Sequence, residues 1–74
     1  MLDIGENVKL LRKLKGISQT QLSDMTGTSE RMIKFIEKGQ KFPSLALAME
    51  LAKVLDCSLD TLTGFNNRKE DKHE

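Results

Sequence analysis

The segment GISQTQLSDMTGTSERMIKFIEKG, residues 16–39, predicts two short helices joined by a very short turn. Ser18 is followed three residues later by Gln21, a capping-box pattern that places the start of the first helix at about residue 18. Gly27 ends that helix near residue 26, and Ser29 can cap a second helix that continues to about residue 38. A turn of about three residues makes the two helix axes cross steeply.

The same segment meets the steric demands of such a crossing. Ser23 is small enough for close contact between the two helices, and Gly27 tolerates a positive φ in the turn. Ile33 and Ile36, here called the isoleucine seam, provide a narrow apolar stripe for burial. On a helical wheel the opposite, exposed side places an aromatic ring among cations: Arg31, Lys34, Phe35 and Lys38.

The rest of the chain predicts three further helices, which together with the first two make an all-α fold. The expected N-caps are Asp3, Ser44 and Ser58, and the apolar stripes at helical spacing are Ile4, Val8 and Leu11, then Leu45, Ala48, Leu51, Ala52 and Leu55, then Leu59 and Leu62. We expect a compact five-helix domain over residues 1–65. The polar tail, residues 66–74, has no apolar residue and is expected to be disordered.

Composition and charge narrow the class of partner. The net charge of +1 hides an uneven distribution, because residues 9–41 carry eight basic and three acidic residues, whereas residues 42–65 carry one basic and three acidic. A basic face opposite an acidic one suits a polyanion bound on one side, although a solvated charged surface has the same pattern. No membrane span or signal peptide is evident, so we expect a cytoplasmic protein with no membrane association.

Residues from about Ile4 to Leu62 resemble the phage-repressor and Cro-like (XRE-type) helix-turn-helix family. PSLALAMELAKVLDCSLDTL, residues 43–62, is similar to the family's fourth and fifth helices. The resemblance implies a lambda-repressor-like DNA-binding domain. Its third helix in chain order, which is the helix of residues 29–38 here, enters the major groove. Two positions depart from the family's pattern, since alanine is usual at Ser23 and a polar residue at Phe35. Matching features of the first segment are a small residue at Ser23, although not the usual alanine, and the residues Gln19, Leu22, Gly27, Ile33, Ile36, Glu37 and Gly39.

The exposed side of the predicted third helix provides the candidate base-reading residues. Arg31 has the guanidinium fork that pairs with guanine O6 and N7, Phe35 can contact a thymine methyl group, and Glu30 can accept from cytosine N4. Alternatives remain open: Arg31 can bind phosphate only, Phe35 can fold over Met32 or the stem of Arg12, and Glu30 can simply favour the helix N-terminus. Candidate phosphate-binding residues are Ser18, Gln19, Lys34, Lys38, Gln40 and Lys41.

The resemblance also implies two structural roles next to the DNA-binding residues. Arg12 and Glu37 are expected to form a partly buried ion pair that ties the first helix to the third. Gln19, besides contacting phosphate, is expected to support the third helix.

Two functions from different classes fit these features. The first is a transcriptional repressor that binds a palindromic operator in double-stranded DNA as a homodimer, and the second is an antitoxin that binds a toxin protein and autoregulates its operon. Leu10, Met49 and Phe65 are the candidate dimer or partner surface. An enzyme is not expected, because the only histidine, His73, lies in the tail and the only cysteine, Cys57, is isolated in an apolar context. No metal-ligand spacing or phosphate-binding glycine loop is present, so no metal or cofactor is expected.

Overall fold

The computed structural model describes residues 4–64. These residues form five helices, α1 (Ile4–Leu14), α2 (Gln19–Thr26), α3 (Glu30–Glu37), α4 (Leu45–Val54) and α5 (Leu59–Thr63). The predicted all-α, five-helix fold is therefore confirmed. Within the same residues, every helix is too short or too polar to cross a lipid bilayer. Asp3, Phe65 and the tail lie outside the described residues.

Serine residues begin four of the five helices. In each case the serine hydroxyl oxygen accepts a hydrogen bond from the backbone N–H three residues later, which satisfies a donor that the helix leaves unpaired. These caps are Ser18, Ser29, Ser44 and Ser58. At Ser18 the predicted capping box is complete, since Gln21 Oε1 accepts from the Ser18 backbone N–H at 2.7 Å.

Three helices end in the same hydrogen-bonded turn, the Schellman motif. The residue that terminates the helix has a positive φ, 73° at Gly16, 77° at Gly39 and 59° at Asp56. The next residue donates its N–H to the carbonyl five residues earlier: Ile17 to Arg12, Gln40 to Phe35, and Cys57 to Ala52. Glycine adopts this conformation without strain, whereas Asp56 must do so with a side chain.

Side chains from all five helices meet in one core. The fully buried ones are Val8, Leu22, Ile33, Ile36, Leu51 and Leu62. Helix α3 packs on α1 and α2, and α4 packs on α2 and α5. Gly5 of α1 approaches the end of α3 so closely that an added Cβ atom would overlap the Ile36 carbonyl oxygen. The inner side of α3 is therefore held tightly while its outer side remains exposed.

The prediction is wrong for one residue of the apolar stripes, Leu45. Leu45 was expected in the core but is 68% exposed. It is the first residue of α4, at the edge of the core, and Leu47 packs against the core instead. Leu45 lines a shallow apolar hollow on the surface together with Phe42 and Pro43.

Candidate nucleic-acid interface

The outer side of α3 carries cations around an aromatic ring. Arg31, Lys34 and Lys38 are exposed, and Phe35 between them is half-buried. The isoleucine seam on the opposite side is fully buried. Packing of the seam thus determines which side chains of α3 face outward.

Two cations lie over the ring of Phe35. The guanidinium carbon of Arg31 is 5.5 Å from the ring centroid, and Lys41 Nζ is 5.8 Å from it. A cation within about 6 Å of a ring centroid is attracted by the electron-rich face. The spacing of Arg31 and Phe35, one helical turn apart, was a sequence signal for the first contact. Lys41 reaches the ring only because the loop after α3 turns back, so its contact had no local signal.

Glu30 connects α2 to α3. Thr20 Oγ1 donates to Glu30 Oε1 at 2.9 Å, and Lys34 Nζ lies 3.4 Å from Glu30 Oε2. The hydrogen bond from Thr20, followed by the charge of Lys34, lowers the pKa of Glu30. Thr20 was not among the predicted site residues, because nothing local in the sequence relates it to a residue on the next helix.

A second polar network lies behind the exposed face. Arg12 and Glu37 form a bidentate ion pair, with Arg12 Nε 2.7 Å from Glu37 Oε2 and Arg12 Nη2 donating to Glu37 Oε1 at 3.1 Å. Arg12 Nη1 also donates to the Ile17 carbonyl at 3.0 Å, and Gln19 Nε2 donates to Glu37 Oε1 at 2.9 Å. The hydrogen bond to Glu37 raises the pKa of Arg12. This network holds α1, α2 and α3 in one fixed arrangement.

The network is almost completely buried, and all of its buried polar atoms are hydrogen-bonded. The side chains of Arg12 and Glu37 are 10% and 3% exposed. Every buried side-chain nitrogen and oxygen in residues 4–64 has a hydrogen-bond partner. Glu37 is therefore enclosed by protein donors, although it lies on the helix whose other side is basic.

The remaining candidate phosphate-binding residues lie at the start of α2 and in the loop after α3. Ser18, Gln40 and Lys41 are exposed, at the start of α2 and in the loop after α3. The Ser18 oxygen accepts from the Gln21 backbone N–H at 3.0 Å, which leaves the hydroxyl proton to donate elsewhere. These two segments therefore present exposed N–H and O–H donors in addition to those of α3 itself.

The candidate dimer or partner residues are not gathered in the same way. Leu10 and Met49 are each 57% exposed, but they lie on α1 and α4 respectively. Leu10 lines a hollow whose other residues are charged: Glu6, Lys9 and Lys13. Phe65 lies outside the described residues.

Side chains for metal or thiol chemistry are sparse in the part of the chain that the structure describes. Residues 4–64 contain no group of three His, Cys, Asp or Glu side chains arranged to hold a metal ion. Cys57 is a half-buried free thiol. Burial, and then the nearby charge of Asp56, raises the pKa of the Cys57 thiol.

Comparisons with known proteins agree with this architecture. A family model described as helix-turn-helix matches residues 8–62. The competence pilus inhibition repressor of Acinetobacter baylyi is 39% identical over 61 residues, which are 82% of this chain and 56% of the relative. The HTH-type transcriptional regulator SinR of Bacillus subtilis is 33% identical over 72 residues, which are 96% of this chain and 60% of SinR. The chain thus spans little more than half the length of these two relatives.

Solved structures share the fold over most of the chain. The P22 c2 repressor, in complex with synthetic operator 9T, superposes with a TM-score of 0.77 at 34% identity, covering 80% of this chain and 89% of that one. The N-terminal DNA-binding domain of SinR from Bacillus subtilis superposes with a TM-score of 0.76 at 32% identity, covering 96% of each chain. These likenesses extend across the two crossing helices and the core that supports them.

Proposed function

The chain belongs to the helix-turn-helix family of DNA-binding transcriptional regulators, and we propose that it is a sequence-specific repressor that binds a palindromic operator as a homodimer. The observation that carries the proposal is the outer side of α3, where exposed cations stand opposite the buried isoleucine seam. In a helix-turn-helix protein this is the side that enters the major groove.

Arg31 is the proposed base reader. It lies in the first turn of α3, is exposed, and can form two parallel hydrogen bonds to guanine O6 and N7. Such a bidentate contact discriminates against a wrong base by about 1–3 kcal/mol. Glu30 is held by Thr20 and Lys34, so its proposed contact with cytosine N4 would come from a carboxylate already fixed in place.

Phosphate contacts position the helix. Gln19 uses one amide hydrogen on Glu37 and retains a second for a phosphate oxygen. The other proposed phosphate-binding residues are exposed and carry N–H or O–H donors: Ser18, Lys34, Lys38, Gln40 and Lys41. These contacts supply affinity without sequence preference.

We propose a homodimer because a single recognition helix contacts a short stretch of DNA. One recognition helix reads only a few base pairs, whereas two helices about 34–36 Å apart meet successive major grooves on one face of the duplex. We propose that α4 and α5 form the dimer surface, with Met49 within it, because residues 42–65 carry one basic and three acidic residues and repel DNA. Because the proposed partner is DNA, we also propose that the protein acts in the cytoplasm.

The relatives also bear on the choice between the two functions. They are a repressor and a transcriptional regulator, which favours the repressor over an antitoxin whose main partner is a toxin protein. The proposal for the whole protein therefore keeps double-stranded DNA as its principal partner.

Selection of bound sites from random DNA tests the proposal. The wild type should enrich a palindromic consensus, and Arg31→Ala should lose base preference at one symmetric pair of positions. Lys15→Ala, an exposed change just after α1 and outside the proposed dimer surface, is the matched control and should recover the wild-type consensus. Absence of any enriched site would overturn the proposed function. An Arg31→Ala consensus identical to that of the wild type would make Arg31 a phosphate contact.

A further inference from the structure

Phe35 contacts the proposed base reader directly. Its ring lies beneath Arg31, with 5.5 Å from the guanidinium carbon to the centroid, and Lys41 lies over the same ring at 5.8 Å. An exposed arginine samples many rotamers, most of which are lost when it binds a base. A ring under the guanidinium restricts those rotamers before DNA arrives. Phe35 therefore acts on the orientation of Arg31 whether or not the ring itself touches DNA.

The spacing along α3 places the ring over a neighbouring base pair. Arg31 and Phe35 are four residues apart, which is about 6 Å along a helix axis. Successive base pairs are about 3.4 Å apart along the axis of the duplex. An offset of about 6 Å lies between one and two base-pair rises, so when Arg31 bonds to one guanine the ring edge of Phe35 lies over a base pair within two steps of it rather than over the same pair.

The only apolar group that the major groove offers is the 5-methyl group of thymine. Phe35 is half-buried, so part of its ring remains open to solvent on the outer side of α3. Covering that part with a methyl group removes apolar surface from water, whereas covering it with the polar edge of cytosine leaves an N–H donor unpaired.

We propose that Arg31 and Phe35 form one composite reader for a guanine and a thymine within two base pairs of it. Phe35 is a positioning residue for the guanidinium and a direct contact for the thymine methyl group. Lys41, over the same ring, binds a phosphate beside that step, so base reading and phosphate binding share one support. The inference rests on the proposed DNA-binding function and adds to it the chemistry of the half-site.

Single-atom changes in the DNA test the inference on the unmodified protein. In the selected operator each thymine is replaced in turn by deoxyuridine, which lacks only the methyl group. Each guanine is replaced by 7-deazaguanine, which lacks only the N7 acceptor. Removing the methyl group from either thymine of one symmetric pair should lower affinity about fourfold, as expected for one buried methyl group. The sensitive thymine should lie within two base pairs of the guanine whose N7 is required.

Two variants of Phe35 separate its two roles. Phe35→Leu keeps an apolar side chain but loses the aromatic face, so the penalty for 7-deazaguanine should shrink while part of the deoxyuridine penalty remains. Phe35→Ala should lose the deoxyuridine penalty altogether. Thermal unfolding verifies that each variant is folded. If a variant does not fold, the affinities of the wild-type protein for the substituted operators still test the inference.

The inference would be overturned if no deoxyuridine substitution changed wild-type affinity, or if the sensitive thymine lay more than two base pairs from the required guanine. Either result leaves sequence-specific DNA binding intact. Failure of the underlying function is a different observation, namely the absence of any base preference in the selection.

Discussion

Glu37 is an acidic residue on a helix whose outer side is basic, and its contacts explain its position. Both carboxylate oxygens accept from Arg12, and one also accepts from Gln19. The carboxylate is nearly buried, so DNA phosphates do not meet its charge. Its role at this scale is to hold the helix that carries the readers, and replacing it tests that role.

Glu37→Gln should lower the free energy of unfolding by about 3 kcal/mol, because it leaves the buried Arg12 guanidinium without a counter-charge. The measurement is the urea midpoint followed by circular dichroism. Glu50→Gln, the same change at an exposed position on α4, should leave the midpoint unchanged. Equal midpoints for Glu37→Gln and the wild type would show that the pair contributes nothing to stability.

Thr20→Val should raise the pKa of Glu30 toward its ordinary value, because the hydrogen bond from Thr20 is the largest cause of its lowering. A carboxylate whose pKa is lowered by folding stabilises the protein above its unfolded-state pKa, and this contribution is lost as pH falls through the folded-state pKa. Acid unfolding of the variant should therefore begin at a higher pH. An NMR titration of the Glu30 carboxyl carbon measures the shift directly. Thr63→Val on α5 is the control, and a Glu30 titration equal in all three proteins would contradict the assignment.

Helix boundaries were predictable from the sequence because their causes are local. A serine before a helix and a glycine after it act through bonds to residues within five positions, and the serine caps of α2 to α5 are all present. Asp56 was not predicted as a helix terminator, because its side chain does not favour a positive φ in the way that glycine does. It ends α4 in that conformation all the same. The strained position should therefore be improved by glycine.

Asp56→Gly should raise the free energy of unfolding by about 0.5–1 kcal/mol. It relieves left-handed strain and removes a negative charge from the C-terminal end of α4. Gly16→Asp makes the reverse change at the end of α1, where an added Cβ meets no atom within 4 Å, and should destabilise by a similar amount. Thermal unfolding of both variants measures the two signs. The same sign for both would mean that backbone conformation is not the cause.

At the scale of the whole molecule, the five-helix fold followed from periodicity and caps, but the packing of one helix on another did not. The close approach of Gly5 to the end of α3, and the exposure of Leu45, depend on how helices distant in sequence meet. The same limit applies to the candidate site. Arg31 and Lys34 were assigned outward from the helical wheel alone, whereas the contacts of Phe35 with Lys41 and of Glu30 with Thr20 required the folded chain.

The uneven charge of the whole chain should appear in the salt dependence of DNA binding. Each phosphate contact releases counterions, so Lys41→Ala should make the slope of log K against log salt shallower by about 0.9 for each protomer, or about 1.8 for the proposed homodimer. Lys53→Ala removes the same charge from α4, on the part of the chain with an acidic balance, and should leave the slope unchanged. Fluorescence anisotropy over a range of salt concentrations gives both slopes. Equal changes for the two variants would mean that net charge, rather than a particular face, attracts DNA.

The ties between the recognition helix and its neighbours determine how easily the protein can acquire a new operator. Exchanging the outward residues of α3 alone would leave Thr20 without Glu30 and Lys41 without the ring of Phe35. A redesigned or naturally diverging homologue must therefore change α2 and the loop after α3 together with the reader. The proposed DNA specificity therefore depends on three chain segments, and a graft limited to the eight residues of α3 would carry only part of it.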